Sequence, residues 1–180
     1  MTNCHKCFFT MYNKISIIGG PGTGKTTLSN ALSKKYNIPV THIDGIHHLE
    51  NWQIRDKSER DSMILNIVAK DKWIIDGTYK DTLKQRLENS DFIIWLDYST
   101  LAQLKGIIKR YLKNPGKEKK EIPGCKERLT FEFCKYVLYY NKNKRHFIVD
   151  SIENIDKDKV LIFKNQKHLN KWLKKQNIKI

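Results

Sequence analysis

Residues 19–26 read Gly19-Gly20-Pro21-Gly22-Thr23-Gly24-Lys25-Thr26, a complete G-x-x-x-x-G-K-[ST] pattern. Glycines let the backbone curl until successive N–H groups point inward at one anion. A helix starting behind Lys25 adds its positive dipole end to the same place. Lys25 offers a point charge to the β- and γ-phosphates of a nucleotide, and the Thr26 hydroxyl is a Mg²⁺ ligand type. The context agrees: an apolar strand precedes the motif (Lys14-Ile15-Ser16-Ile17-Ile18), and Leu28, Ala31 and Leu32 mark one side of a helix over 26–36. The stretch predicts a strand, a phosphate-binding loop and a helix, with a nucleoside triphosphate as ligand.

Working outward, strands and helices alternate. Strands are predicted over 39–43, 73–75, 92–96 and 160–163, and helices over 58–70, 80–89, 100–113 and 166–175. The 58–70 helix is expected to turn Met63, Ile64, Ile67 and Val68 inward; Leu101, Leu104, Ile108 and Leu112 recur at helical spacing. Strands joined by helices of this length require right-handed crossovers and a parallel sheet covered on both faces. Residues 114–124 break the rhythm with Pro115, Gly116, Pro123 and Gly124 around a charged run. They read as an exposed, mobile excursion with no helix through it, ahead of a long helix over 126–145.

Three acids follow apolar strands: Asp44, Asp76 and Asp97. Ligands of open α/β sheets collect at that carboxyl edge, so each is a metal- or substrate-positioning candidate as well as an ordinary turn or cap residue. Phosphoryl transfer also needs positive charge on the moving group, usually Arg. Arg110 and Arg128 flank the excursion and Arg145 ends the predicted long helix, so these three are the candidates for closing over a triphosphate. Trp52, Tyr79 and His47 or His48 are candidates to line an acceptor pocket, or simply to pack a loop.

Composition narrows the class. The 180 residues suit one domain, and 39% hydrophobic with 29% charged residues excludes a disordered or fibrous chain. No apolar run approaches the roughly 20 residues that span a bilayer. The first twelve residues hold one Lys and no long apolar core, unlike a signal peptide. A soluble, cytoplasmic protein without a membrane partner is expected. The formal charge of +15 is lopsided: residues 1–100 carry 13 basic and 11 acidic side chains, residues 101–180 carry 21 and 8. That asymmetry fits a polyanionic partner or a solvated lysine coat, and no helix-turn-helix, zinc-finger or RNA-stacking signature accompanies it. Nucleic acid is therefore the less favoured partner. Cys4 and Cys7 form a C-x-x-C, but Cys125 and Cys134 do not repeat the spacing, so reduced thiols are expected over a zinc site.

The order of these parts resembles adenylate-kinase-like P-loop kinases, and more closely the group called DNA topology modulation proteins. The residues that carry the likeness are His42-Ile43-Asp44 with Trp52 downstream, Trp73-Ile74-Ile75-Asp76-Gly77-Thr78-Tyr79, Arg86-Leu87-Glu88-Asn89-Ser90-Asp91, Pro123-Gly124-Cys125 and Glu132-Phe133-Cys134-Lys135-Tyr136. The resemblance implies an α/β three-layer sandwich with a five-stranded parallel sheet of order 2-3-1-4-5. It implies an ATP site at Gly19, Gly20, Pro21, Gly22, Thr23, Gly24, Lys25, Thr26 and Thr27, with Mg²⁺ at Thr26 and Asp76. Asp44 then falls at the acceptor pocket, with a short lid near 114–124. Residues 1–13 read as an extension and 14–180 as one kinase-like domain. Two features depart from the pattern: Asp81 stands where a basic residue is expected, and the lid itself holds only lysines. The leading expectation is an ATP- and Mg²⁺-dependent phosphotransferase acting on a small polar acceptor, with Lys25, Asp44, Arg110, Arg128 and Arg145 as catalytic residues. An ATP-binding regulator associated with nucleic acid and affecting DNA topology, and a P-loop protein that binds without transferring, are the alternatives.

Overall fold

A computed structural model describes residues 12–180; Cys4 and Cys7 lie outside the described residues. The frame is a five-stranded, all-parallel sheet formed by β1 (Lys14–Gly19), β2 (Val40–His42), β3 (Trp73–Asp76), β4 (Phe92–Leu96) and a last strand at Val160–Phe163. Its order is β2-β3-β1-β4 followed by the Val160–Phe163 strand, which is the expected 2-3-1-4-5 arrangement. The strands are apolar on both faces because helices cover both: Ile15, Ile17, Ile74, Phe92, Ile94 and Leu96 pack toward one layer, Ile18, Ile93 and Trp95 toward the other. Each fully buried Ile or Leu contributes about 1.5–3 kcal/mol.

The first layer holds α1 (Lys25–Tyr36), with Leu28 and Leu32 fully buried. A short α2 (Ile43–His47) and α3 (Lys57–Val68) follow β2. Asp56 caps α3 by accepting from the Ser58 and Glu59 N–H groups. Ile64 and Val68 of α3 are buried as expected, whereas Met63 is 37% exposed. Next come α4 (Lys80–Glu88) and α5 (Thr100–Lys113), the latter capped by the Ser99 hydroxyl.

On α5 the apolar spacing marks the outer side: Leu101 and Leu112 are 75% and 71% exposed, while Gln103 and Ile107 are buried. The helix lies against the phosphate loop, and close approach there is made by Gly106, which has no side chain. A Cβ on Gly106 would come within 2.0 Å of the Gly22 carbonyl oxygen.

The excursion after α5 is a hairpin, β5 (Glu118–Lys119) paired antiparallel with β6 (Ile122–Lys126). The segment is largely exposed and free of helix as expected; its two short strands are the feature that the sequence did not signal. Ile122 and Cys125, both essentially buried, anchor the hairpin against the Glu50–Trp52 turn. The long helix α6 spans Phe131–Ile152, starting later and ending later than its periodicity predicts. Residues up to Lys126 are taken by β6, and the Thr130 hydroxyl caps the new start. The chain closes with β7 (Val160–Phe163) and α7 (Gln166–Lys175). At the other end Tyr12 stacks on Phe92 at 4.9 Å, and Asp91 accepts from the Asn13 and Lys14 N–H groups. No helix among the described residues is long and apolar enough to cross a membrane.

Candidate active site

The loop between β1 and α1 adopts the conformation its glycines permit. Gly22 and Gly24 sit at φ 69° and 88°, in the left-handed region. Gly24, as the N-cap, has nothing within 4 Å of where a Cβ would stand, so this side faces open space. The opposite side is packed: a Cβ on Gly20 would run into the Gln103 amide at 2.2 Å. The Thr23 hydroxyl donates to the Gly20 carbonyl at 2.8 Å, and Lys25 Nζ donates to the same oxygen at 2.8 Å. Pro21, Thr26 and Thr27 complete the turn into α1.

Lys25 is the electrostatic centre. Burial lowers its pKa; the carboxylates of Asp44 and Asp76 act to raise it, and the cations Arg110 and Lys119 act to lower it further. The desolvated ammonium donates to the Gly20 carbonyl and can turn from it to a phosphate oxygen held in the loop. Such a cradle suits the phosphates of a nucleoside triphosphate.

Asp76 ends β3 and is 3% exposed. Its Oδ2 accepts from the Ser29 hydroxyl, one turn beyond Thr26 on α1, and lies 2.7 Å from His42 Nδ1. Burial alone would lower the His42 pKa, but the Asp76 hydrogen bond and charge, with Glu121 and Asp44 behind it, raise it. No cluster of three acidic, His or Cys ligands exists among the described residues. Thr26 and Asp76 nevertheless suit Mg²⁺, which keeps several waters and binds through one or two protein oxygens plus phosphate. Beneath this edge Arg86 is completely buried, donates to the Gly77 carbonyl at 3.1 Å, and leaves Nε and Nη2 without a partner among the described residues. Burial pulls its pKa down to about 10 despite the Asp76 charge.

Asp44 stands on α2 and accepts from the Tyr79 hydroxyl at 3.1 Å. Burial, together with the Asp44 charge, raises the pKa of Tyr79, and the same pair of causes acts on Tyr136. His47 packs against Tyr79 at 4.7 Å and His48 against Trp52 at 5.2 Å; burial lowers the pKa of both histidines. Asp81 turns away from this pocket to Lys57 at 2.8 Å and to Arg60 at 2.7 Å, and Arg60 is further bound by Asp61. The acid found where a base was expected thus neutralises Arg60.

The hairpin covers this pocket. A Cβ on Gly45 would meet the Glu121 carbonyl oxygen at 2.2 Å, and one on Gly124 would meet the Glu50 side chain at 2.7 Å. Trp52 is the clasp: Arg128 lies 4.7 Å and Lys119 5.2 Å from its ring centroid, and the Trp52 backbone N–H donates to Cys125 Sγ at 3.1 Å. Arg110 is held by Glu127 through Nε at 3.0 Å and Nη2 at 2.9 Å.

The structure therefore brings Lys25, Asp44, Asp76 and Arg110 into one electrostatic group, with Arg128 on its rim through Trp52. Arg145 is engaged elsewhere, donating to both oxygens of Asp97 at 3.0–3.3 Å, with Lys164 on the same carboxylate. Sequence reasoning did not single out Lys119, Ser29, Glu127 or the placement of Tyr136 and Tyr140. Only Ser29 and Tyr140 had a readable signal, as polar positions on the inner sides of helices.

Comparison with known proteins agrees with this architecture. No curated protein sequence matches the chain. Among solved structures, shikimate kinase from Acinetobacter baumannii in complex with shikimate is 18% identical, with 93% of this chain and 97% of that one covered at a TM-score of 0.58. Shikimate kinase from Bacteroides thetaiotaomicron is 13% identical, with 91% and 96% covered at 0.57. At these identities the likeness shows the fold alone, the one those two kinases share. A sequence profile described as an AAA domain matches residues 14–103, from β1 through the phosphate loop and β4 into the start of α5, and by that match over half its length the chain belongs to the AAA domain family.

Proposed function

We propose that the chain is an ATP- and Mg²⁺-dependent phosphotransferase whose acceptor presents a small polar reacting group at Asp44. The observation that carries the reading is the convergence of Lys25, Asp44, Asp76, Arg110 and Lys119 under a closed hairpin. In such a site a carboxylate beside the lysine serves the acceptor hydroxyl, and additional cations serve the moving phosphoryl group. In this reading residues 19–27 hold the polyphosphate through backbone N–H groups, and Lys25 neutralises its outer phosphates. Thr26 and Asp76 would hold Mg²⁺, which neutralises charge developing between the β- and γ-phosphates. Asp44, oriented by Tyr79, positions the acceptor and takes its proton. Arg110, held by Glu127, and Lys119 face the transferring group, and Arg128 keeps the hairpin shut through Trp52. Arg145, bound to Asp97, acts outside this group.

The test is ADP formation from Mg-ATP with a panel of nucleosides, nucleoside monophosphates and hydroxy acids, with Lys25→Ala as the control. Turnover raised by an acceptor, and abolished in the variant, is the expected result. Equal, acceptor-independent background in both proteins would refute the reading. The second reading, a nucleic-acid-associated regulator, is favoured by the 21 basic against 8 acidic side chains of residues 101–180. It requires steeply salt-dependent DNA binding with no acceptor phosphorylated.

A further inference from the structure

The acceptor pocket does not end at Asp44. The Asp44 charge acts on Tyr136 and Tyr140 of α6, and Tyr140 donates to the Gly19 carbonyl at 3.3 Å. From these two rings an open, shallow depression of about 490 Å³ continues along one face of α6, lined by Phe131, Lys135, Tyr136, Tyr139, Tyr140 and Lys144, with Glu132 as its one acid. Phe131 is 79% and Tyr139 49% exposed; Tyr136, 47% exposed, packs edge-on at 5.8 Å against Tyr140, which is buried. Positions 135 to 144 span about 13 Å of helix at 1.5 Å per residue. A mononucleoside reacting at Asp44 would reach Tyr136 and leave the rest of this surface unused. Exposed rings interleaved with lysines are the arrangement that stacks successive bases while neutralising the phosphates between them. The opposite charge of a polyanion also matches the basic excess of this half of the chain.

We infer that the acceptor is the 5′-hydroxyl end of a single-stranded nucleic acid, whose terminal nucleoside sits at Asp44 and Tyr136 and whose following nucleotides run along Tyr139, Lys135 and Phe131. This rests on the phosphotransferase reading and specifies its acceptor. The 5′-hydroxyl oxygen attacks the γ-phosphorus of ATP and a new P–O bond forms. The bond to the β,γ-bridging oxygen breaks, ADP leaves with the electron pair, and the hydroxyl proton passes to Asp44. The product is a 5′-phosphorylated strand.

The experiment measures transfer of the labelled γ-phosphate of ATP to a short 5′-hydroxyl oligothymidylate, to an oligouridylate of equal length, to thymidine and to thymidine monophosphate. The expected result is a higher kcat/KM for an oligomer than for thymidine, with the oligomer KM rising steeply with salt. Tyr139→Ala, on the exposed side of α6, lowers the ratio of oligomer to thymidine kcat/KM roughly 5- to 150-fold, the equivalent of one stacked base, and Tyr139→Phe restores it. The two oligomers decide between DNA and RNA. If thymidine or its monophosphate is phosphorylated as well as either oligomer, or if Tyr139→Ala leaves the ratio unchanged, the polynucleotide acceptor is wrong and the phosphotransferase reading survives. If none of the four is phosphorylated, the polynucleotide acceptor is wrong; the phosphotransferase reading fails only if the wider panel of nucleosides, monophosphates and hydroxy acids is also left unphosphorylated while ATP still binds.

Discussion

Gly106 of α5 lies directly against Gly22 of the phosphate loop, so closely that a Cβ on Gly106 would stand 2.0 Å from the Gly22 carbonyl oxygen and 2.8 Å from its carbon. The helix is thus the floor on which the loop rests. On Gly22 itself, a Cβ would in turn meet the Gln103 carbonyl oxygen at 2.5 Å and the Ile107 nitrogen at 2.8 Å. Backbone meets backbone here, and neither side can give way by a rotamer change.

Gly106→Ala is therefore expected to displace the loop or the helix. Overpacking of this kind costs about 1–3 kcal/mol, against a small gain in helix propensity of at most about 1 kcal/mol. The expected outcome is a lower melting temperature together with weaker ATP binding, read by calorimetry on the same sample. Unchanged ATP affinity would show that the contact does not shape the loop.

Asp44→Asn separates transfer from binding. The substitution keeps the Tyr79 contact geometry but removes the proton acceptor, so kcat is expected to fall by roughly 10²–10⁴-fold. Asp44 is not part of the phosphate cradle, and ATP binding should persist. Steady-state kinetics beside equilibrium binding checks both halves.

The inner strands β1, β3 and β4 were legible because they are apolar runs with glycine or aspartate at their ends, and those runs had to be buried on both faces. The phosphate loop was legible because its chemistry is local: one segment makes the whole cradle. The rest depends on residues far apart in sequence. Asp76 and Ser29 meet across 47 positions, and Trp52 and Cys125 across 73. The hairpin was missed because β5 has only two residues and no apolar alternation. Its stability comes from Ile122 and Cys125 seated against a turn that the sequence alone does not bring near. On α5 the periodic leucines misdirect, since loop contact selects Gly106 and Ile107 and leaves Leu101 and Leu112 outside.

Trp52→Ala should unfasten the hairpin. The indole receives Arg128 and Lys119 together, each contact contributing about 0.5–1 kcal/mol at an accessible site. Trp52 holds φ at 64°, an uncommon conformation for a bulky residue, which the packed clasp maintains. Without the ring, residues 114–128 are expected to exchange amide hydrogens faster and to be cut earlier by protease. ATP hydrolysis without acceptor should rise relative to transfer, because an open lid admits water. Unchanged exchange in the hairpin would show that Ile122 and Cys125 hold it alone.

Asp97 gives a pH-dependent test away from the transfer residues. Burial alone would raise its pKa, but hydrogen bonds from Arg145 and Lys164, and their charges, bring it below the ordinary carboxylate range. A carboxyl with a depressed native pKa stabilises the fold fully above the unfolded value of about 4, and that contribution disappears as pH falls through the native value. Both cationic partners are about half exposed, so water discounts the gain to about 1 kcal/mol. Asp97→Asn should therefore lower stability by that amount at neutral pH, and the gap between variant and wild type should close in acid. Urea denaturation at several pH values measures the gap directly. A gap that stays constant down to the acid limit would mean that Asp97 acts through packing and its hydrogen-bond geometry, and not through its charge.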